Sequence, residues 1–157
     1  MKANNQASLL LRVFDEAYNR KAWHGPNLRG AIRRVDEKQA AWRPGPGRHS
    51  IADIVIHCAY WKYTVRRLIA DGKRGSFRLK GSNWFELPAK LSAEQWREYV
   101  AWLDEEHALL REAIGSARLD RALGAGKTGT IGSRVYSIAM HDVYHAGQIQ
   151  TLKALQK

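Results

Sequence analysis

Residues 50–72, with the sequence SIADIVIHCAYWKYTVRRLIADG, decide the fold class of this chain. Apolar residues recur every three or four positions along them, which is the period of an amphipathic α-helix. Ser50 and Asp53 form an N-terminal capping pair, and Asp53 also places negative charge at the positive end of the helix dipole. Asp71 and Gly72 end the pattern. The stretch therefore predicts one long helix, most of whose surface is apolar.

Three further segments share this period, and no segment alternates with the two-residue period of a strand. They are residues 6–21, 92–114 and 131–155, with a shorter helical piece expected at 26–37. Ser92 and Gln95 open the segment 92–114 with a capping pair of the same kind. Four such helices predict an all-α protein with the architecture of a four-helix bundle. Residues 73–91 separate the second and third helices, and a connection of about twenty residues permits a crossover along the bundle.

Length and composition favour a single domain over residues 1–157 in a reducing compartment. The chain has 157 residues, 45% of them hydrophobic, and one cysteine, Cys58, which excludes an intramolecular disulfide. Charge interrupts the N-terminus too early for a signal peptide. No uncharged apolar run approaches the roughly 18 residues that a membrane span needs. We therefore expect a soluble, cytoplasmic protein without membrane partners.

The net charge of +11 raises the expectation of an anionic partner such as nucleic acid. Basic residues concentrate in only one stretch, from Lys62 to Lys80. We interpret this stretch as a solvated helix face that runs into a basic loop, in preference to a dedicated nucleic-acid patch.

The histidines predict a metal site. His141 and His145 lie one helical turn apart in an apolar stripe, and neutral imidazole is the commonest transition-metal ligand. A surface pair, or two separately hydrogen-bonded histidines, is the alternative. His57 lies in the apolar second helix and completes a tripod that leaves one coordination position open, as catalytic sites do. The three ring nitrogens should then converge to within roughly 4 Å.

Other side chains are weaker candidates. Asp142 is interpreted as a group behind the metal ligands, as a base, or as a member of a surface ion pair. His24 and His49 lie in loops that could rim one end of the bundle and contact substrate. We expect His107 at the surface and Cys58 as small buried filler. Trp23 and Trp84 are candidate pocket walls.

Three segments together resemble the DinB-like, YfiT-type family over nearly the whole chain. They are Trp23-His24-Gly25-Pro26-Asn27-Leu28, Arg48-His49-Ser50-Ile51 leading to His57 and Trp61, and His141-x3-His145-x-Gly147-Gln148-Ile149. The resemblance implies an up-down-down-up bundle with a long crossover between the second and third helices, often a homodimer. It also implies a zinc- or nickel-type divalent metal, held here by His57, His141 and His145. Relatives include bacillithiol-dependent thiol-S-transferases and a mycothiol-dependent isomerase, and many others are grouped as metal-dependent hydrolases.

Three functions follow as hypotheses. The first is thiol transfer to a small electrophile with a low-molecular-weight thiol as cofactor, in which Asp142, His24 or His49 carries protons and the basic loop at 73–80 attracts carboxylates. Hydrolysis at the same metal is the second. The third is a non-catalytic role. The protein is then either a module that holds an anionic polymer or a former enzyme that now serves as a stress-related interaction domain.

Overall fold

The protein is helical throughout the part that the structure describes. The computed structural model describes residues 2–70, 75–124, 126 and 128–157, with side chains from Gln6 onward. It contains six helices there and no strand: α1 (Lys2–Tyr18), α2 (Leu28–Ala31), α3 (Glu37–Ala41), α4 (Ile51–Ile69), α5 (Ala93–Ser116) and α6 (Ile131–Ala154). The all-α prediction is confirmed. No helix among these residues is both long and apolar enough to cross a membrane.

The long helices begin where side chains can satisfy their free backbone N–H groups. The predicted capping pair of α4 is present, since Ser50 Oγ accepts from the Asp53 backbone and the Asp53 carboxylate accepts from the Ser50 backbone. The predicted pair Ser92 and Gln95 opens α5 in the same way. These reciprocal bonds fix the register in which each helix presents its side chains.

The first helical segments differ from the sequence expectation. Helix α1 ends at Tyr18 instead of continuing to residue 21. The piece expected over 26–37 is two short helices, and Asn27 caps the first of them by accepting from the Gly30 backbone. Arg34 interrupts the segment with a φ of 63°, a left-handed conformation that no helix accommodates. Periodicity alone cannot detect such a local break.

Two apolar clusters form the core. Helices α4, α5 and α6 share one of them around Ile51, Leu103 and Ile149, and the short helices cover it. The second cluster surrounds Phe14 and Leu110, where α1 packs against the C-terminal half of α5 and the N-terminal half of α6. Both clusters are built from buried apolar side chains, which supply the main driving force for folding.

A layer of paired charges lies between the two clusters, and it corrects the interpretation of the basic stretch. Lys62 is fully buried, bonds to the equally buried Asp142, and lies 4.7 Å from the ring centre of Phe14. Arg66 forms two hydrogen bonds with Glu106 on α5. The expectation of a solvated face was wrong because opposite charges on α5 and α6 meet this face of α4. Asp71, Lys73 and Arg74 lie outside the described residues.

His107 is the other sequence expectation that the core overturns. It is 5% exposed and stacks between the rings of Tyr18 and Phe14, at centroid distances of 3.7 and 4.4 Å. Its Nδ1 has no hydrogen-bond partner. The sequence placed it at the surface because its neighbours on α5 are charged.

The connection between α4 and α5 contains neither helix nor strand in its described part, residues 75–92, as predicted. It folds back along α4 and buries Phe77 against the core. Asn83 and Trp84, further along, lie against His57. This connection therefore supplies one wall of the region around His57 on α4.

Candidate metal centre

Three imidazoles converge where α4 faces α6. His141 Nε2 lies 3.0 Å from His57 Nε2 and 3.0 Å from His145 Nε2. Tetrahedral zinc with metal–nitrogen distances of about 2.0–2.1 Å separates its nitrogen ligands by roughly 3.3 Å. His57 and His145 are buried, whereas His141 is partly exposed. The cluster has the geometry of a three-histidine metal site with one side open.

The connection between α4 and α5 orients His57. The Asn83 carbonyl lies 3.0 Å from His57 Nδ1, and a carbonyl can only accept, so Nδ1 carries the proton. Asn83 adopts a φ of 64°, a left-handed conformation that asparagine tolerates better than most residues, and its Oδ1 accepts from Trp61 Nε1. Trp84 stacks on the His57 ring at 3.9 Å. Together these contacts leave the His57 Nε2 lone pair aimed at the cluster.

A glutamine orients His145 in the same sense. Gln148 presents its Oε1 at 2.6 Å from His145 Nδ1, while its amide nitrogen donates to the Tyr144 hydroxyl at 2.9 Å. His145 Nδ1 is therefore the protonated nitrogen, and its Nε2 is free to bind a cation. Outer hydrogen bonds of this kind fix both the tautomer and the ring orientation of metal-binding histidines.

The donor set fits a divalent cation. Because His57 and His145 both present Nε2 lone pairs, a single N–H on His141 Nε2 could satisfy only one of its two close contacts. A cation between the three nitrogens would satisfy them all. Burial lowers the pKa of His141 to about 3 and that of His145 to about 4, and the neighbouring imidazoles add to both shifts. Burial also lowers the pKa of His57. The cluster is therefore neutral at pH 7, which is the form that binds metal.

Asp142 pairs with Lys62 and is not one of the three converging side chains. It is fully buried, so the expected surface ion pair is in fact a buried one. Cys58, His141 and Asp142 form a second group whose donor atoms lie within 4.8 Å of one another. Burial raises the pKa of Cys58 well above its usual range, and the Lys62 ammonium already binds Oδ2 of the Asp142 carboxylate. This second group is therefore poorly suited to bind a cation, because its thiol stays protonated and an ammonium group lies beside its carboxylate.

The two loop histidines take different positions. His49 stacks on Trp84 at 3.6 Å, so that His49, Trp84 and His57 form a continuous stack. It lines a cavity of about 390 Å³ together with Arg48, Trp84 and Gln148. This cavity is the larger of the two beside the cluster and is hereafter the large cavity. His24 is exposed in the turn that follows α1. Of the two tryptophans expected as pocket walls, Trp84 lines this cavity, whereas Trp23 is 96% exposed.

These features agree with the comparison against protein families, in which the model of the DinB superfamily matches residues 21–149. The chain belongs to the DinB superfamily. The matched range contains all three cluster histidines as well as Asn83, Trp84 and Gln148. Neither the comparison with curated proteins nor that with solved structures finds a significant match.

Sequence reasoning assigned no role to Asn83 or Gln148, although both position histidines of this DinB protein. Gln148 was visible as the residue three positions after His145, a spacing at which helical side chains meet. Asn83 gave no such signal, because its contact with His57 spans 26 residues of irregular chain.

Proposed function

We propose that His57, His141 and His145 hold one divalent transition metal, zinc or nickel. The convergence of the three Nε2 atoms, with two of them fixed as lone-pair donors, carries this proposal. The test is isothermal titration of zinc and nickel into protein stripped with a chelator. We expect one site per chain in the wild type and its loss in His145→Ala. His24→Ala, an exposed histidine outside the cluster, is the matched control and should bind as the wild type does.

We further propose that the protein is a metal-dependent thiol-S-transferase acting on small electrophiles. An ion held by three neutral imidazoles keeps its full charge, and it lowers the pKa of a bound thiol or water. In the transfer the S–H bond of the thiol breaks and a sulfur–carbon bond forms. The carbon–leaving-group bond breaks at the same carbon, and the leaving group departs with the bonding electrons. The thiol proton passes to a base or to solvent.

The residues of the large cavity support this assignment. Arg48 supplies positive charge for the carboxylates that low-molecular-weight thiols carry. Of the three proton carriers expected from the sequence, we retain His49, because it lines the cavity and is held there by Trp84. Asp142 is fully buried and pairs with Lys62, and His24 lies in an exposed turn. The expected contribution of the basic loop is not carried forward, since Arg78 bonds to Glu105 and Lys73 and Arg74 lie outside the described residues.

Turnover of metal-loaded protein with a panel of thiols and electrophiles, beside ester and amide substrates, tests the reaction class. We expect product only when both a thiol and an electrophile are present. Hydrolysis is the alternative that the same three-histidine geometry favours. Ester or amide cleavage that needs no thiol and disappears in His145→Ala would refute the transferase and establish the hydrolase.

A non-catalytic module that holds nucleic acid is the candidate of another class, and the net charge of +11 is the observation that favours it. The structure weakens its basis, because three cations of the one basic stretch pair with acids of the same chain. DNA binding across a salt series decides it. Tight binding with a steep salt slope, unchanged in His57→Ala, would favour this module over the enzyme.

We propose that the scaffold is an up-down-down-up four-helix bundle over residues 1–157, located in the cytoplasm. Contacts between α4 and α5 advance together, from Asp53 near Tyr99 to Arg66 at Glu106, which supports a parallel pair joined by a crossover. An exposed, uncharged stripe on α6 supports a homodimer: Tyr136, Met140 and Tyr144 are 41–63% exposed. Light scattering after size exclusion tests the dimer, and Tyr144→Lys should yield monomers.

A further inference from the structure

The cluster histidines lie in the middle of a line of side chains along α6. The line repeats every three or four residues and comprises Arg134, Ile138, His141, His145, Gln148 and Leu152. Residues at this spacing share one helix face. His141 lies about 10 Å along the helix from Arg134, since seven residues rise by about 1.5 Å each. The face therefore extends well beyond the cluster in both directions.

A cavity lies on each side of the cluster along this face. The large cavity covers the C-terminal part, and Gln148, which orients His145, is one of its walls. A second cavity of about 220 Å³, hereafter the small cavity, covers the N-terminal part and is lined by Arg134, Ile138, His141 and Trp61. Because His141 itself lines the small cavity, a ligand there lies directly beside the cluster.

Each cavity has one tryptophan that also contacts a cluster histidine. Trp84, in the large cavity, stacks on His57 at 3.9 Å. Trp61, in the small cavity, meets the edges of His57 and His141 at 6.3 and 6.5 Å between ring centres. Asn83 links the two walls, since it accepts from Trp61 Nε1 and immediately precedes Trp84. The two walls thus both contact the His57 imidazole.

Each cavity also holds one arginine, Arg48 in the large cavity and Arg134 in the small one. Within the described residues, neither side chain takes part in an ion pair, whereas several other arginines of the chain do. Guanidinium groups bind carboxylates through two parallel hydrogen bonds. Each cavity therefore has a guanidinium group that can bind an anionic group.

We propose that the cluster lies at the junction of two substrate arms, which bind two organic ligands at once. The large cavity takes the carboxylate-bearing thiol, anchored by Arg48. The small cavity takes an electrophile with a compact apolar body, which Ile138, Val65 and Trp61 surround, and an anionic group that Arg134 binds. The inference rests on the proposed transfer function and deepens it. A hydrolase needs only one organic ligand beside the metal, whereas two built arms suit a reaction between two.

NMR spectra of zinc-loaded, ¹⁵N-labelled protein report on each arm separately through the indole N–H signals of Trp61 and Trp84. Substitution of each tryptophan with phenylalanine assigns its signal. The probes are benzoate for the small cavity and S-methylglutathione, an unreactive thioether, for the large one. We expect benzoate to shift the Trp61 signal and S-methylglutathione the Trp84 signal. Saturation with either probe should leave the dissociation constant of the other unchanged.

Arginine variants test the anchors. Arg134→Met should weaken benzoate binding by about tenfold and leave S-methylglutathione unaffected, and Arg48→Met should do the reverse, since a charge-assisted contact is worth roughly that factor. Arg97→Met removes an exposed charge on α5 and controls for net charge. Competition between the probes, a response of one tryptophan to both, or no shift with either would overturn the two-arm arrangement. Failure of thiol transfer with both probes bound as expected would refute the transferase alone.

Discussion

Replacement of His107 by phenylalanine should make the acid side of the stability profile less steep. The His107 ring stacks between Tyr18 and Phe14, and burial, with help from Lys62 and Arg111, lowers its pKa from 6.5 to about 2. The folded protein thus resists protonation of His107, whereas the unfolded chain accepts the proton below about pH 6.5. His107 therefore does not reduce the free energy of unfolding above about pH 6.5, and it reduces this free energy progressively as the pH falls towards 2.

The magnitude follows from this difference in pKa. Each pH unit below 6.5 removes about 1.4 kcal/mol from the free energy of unfolding. Between pH 7 and pH 4.5 the wild type should lose roughly 3 kcal/mol through His107 alone. Phenylalanine keeps the stack and removes the Nδ1 that has no partner, so His107→Phe should avoid this loss and change little at pH 7.

Urea denaturation of metal-free protein, followed by circular dichroism from pH 7 to pH 4.5, measures the effect. His107→Leu is the matched control, because it removes the titrating group and also the stacking. It should show the same less steep profile but a lower free energy of unfolding at pH 7. Parallel profiles for wild type and His107→Phe would refute the reasoning, since they would mean that His107 protonates as easily in the folded protein as in the unfolded chain.

Three further predictions concern metal binding and the buried polar groups. Zinc at about 100 times its dissociation constant should raise the free energy of unfolding by about 2.7 kcal/mol in the wild type and leave that of His141→Ala unchanged. Thermal melts with and without chelator measure this effect, and equal shifts in both proteins would contradict it. Lys62→Met should lower the free energy of unfolding by about 3–5 kcal/mol, because it leaves the buried Asp142 carboxylate without a counter-charge. Urea denaturation should show a smaller loss when Asp142→Leu is added, and an equal or larger loss in the double variant would contradict the pairing. Ser50→Ala should lower the free energy of unfolding by about 1 kcal/mol, because the α4 cap is lost. Ser116→Ala, at the end of α5, should lower it by less in the same assay, and equal losses would argue against the cap.

The sequence was sufficient for the features that depend on nearby residues. The helical period over 51–69 and the capping pairs of α4 and α5 are local, and the structure confirms them. The one-turn spacing of His141 and His145 is local as well. Membership of the DinB superfamily agrees with the resemblance drawn from these motifs.

Only the tertiary structure decided the environment of each side chain. Lys62 follows the pattern of a solvated helix face, yet Asp142 lies 80 residues away and draws it into the core. His107 has charged neighbours in sequence and aromatic neighbours in space. Asn83 reaches His57 only because the irregular connection folds back along α4. Helix periods and caps arise from hydrogen bonds within a few residues, so a sequence displays them directly. Burial, ring stacking and the tautomer of a histidine depend on contacts between distant segments, which become defined only when the helices pack.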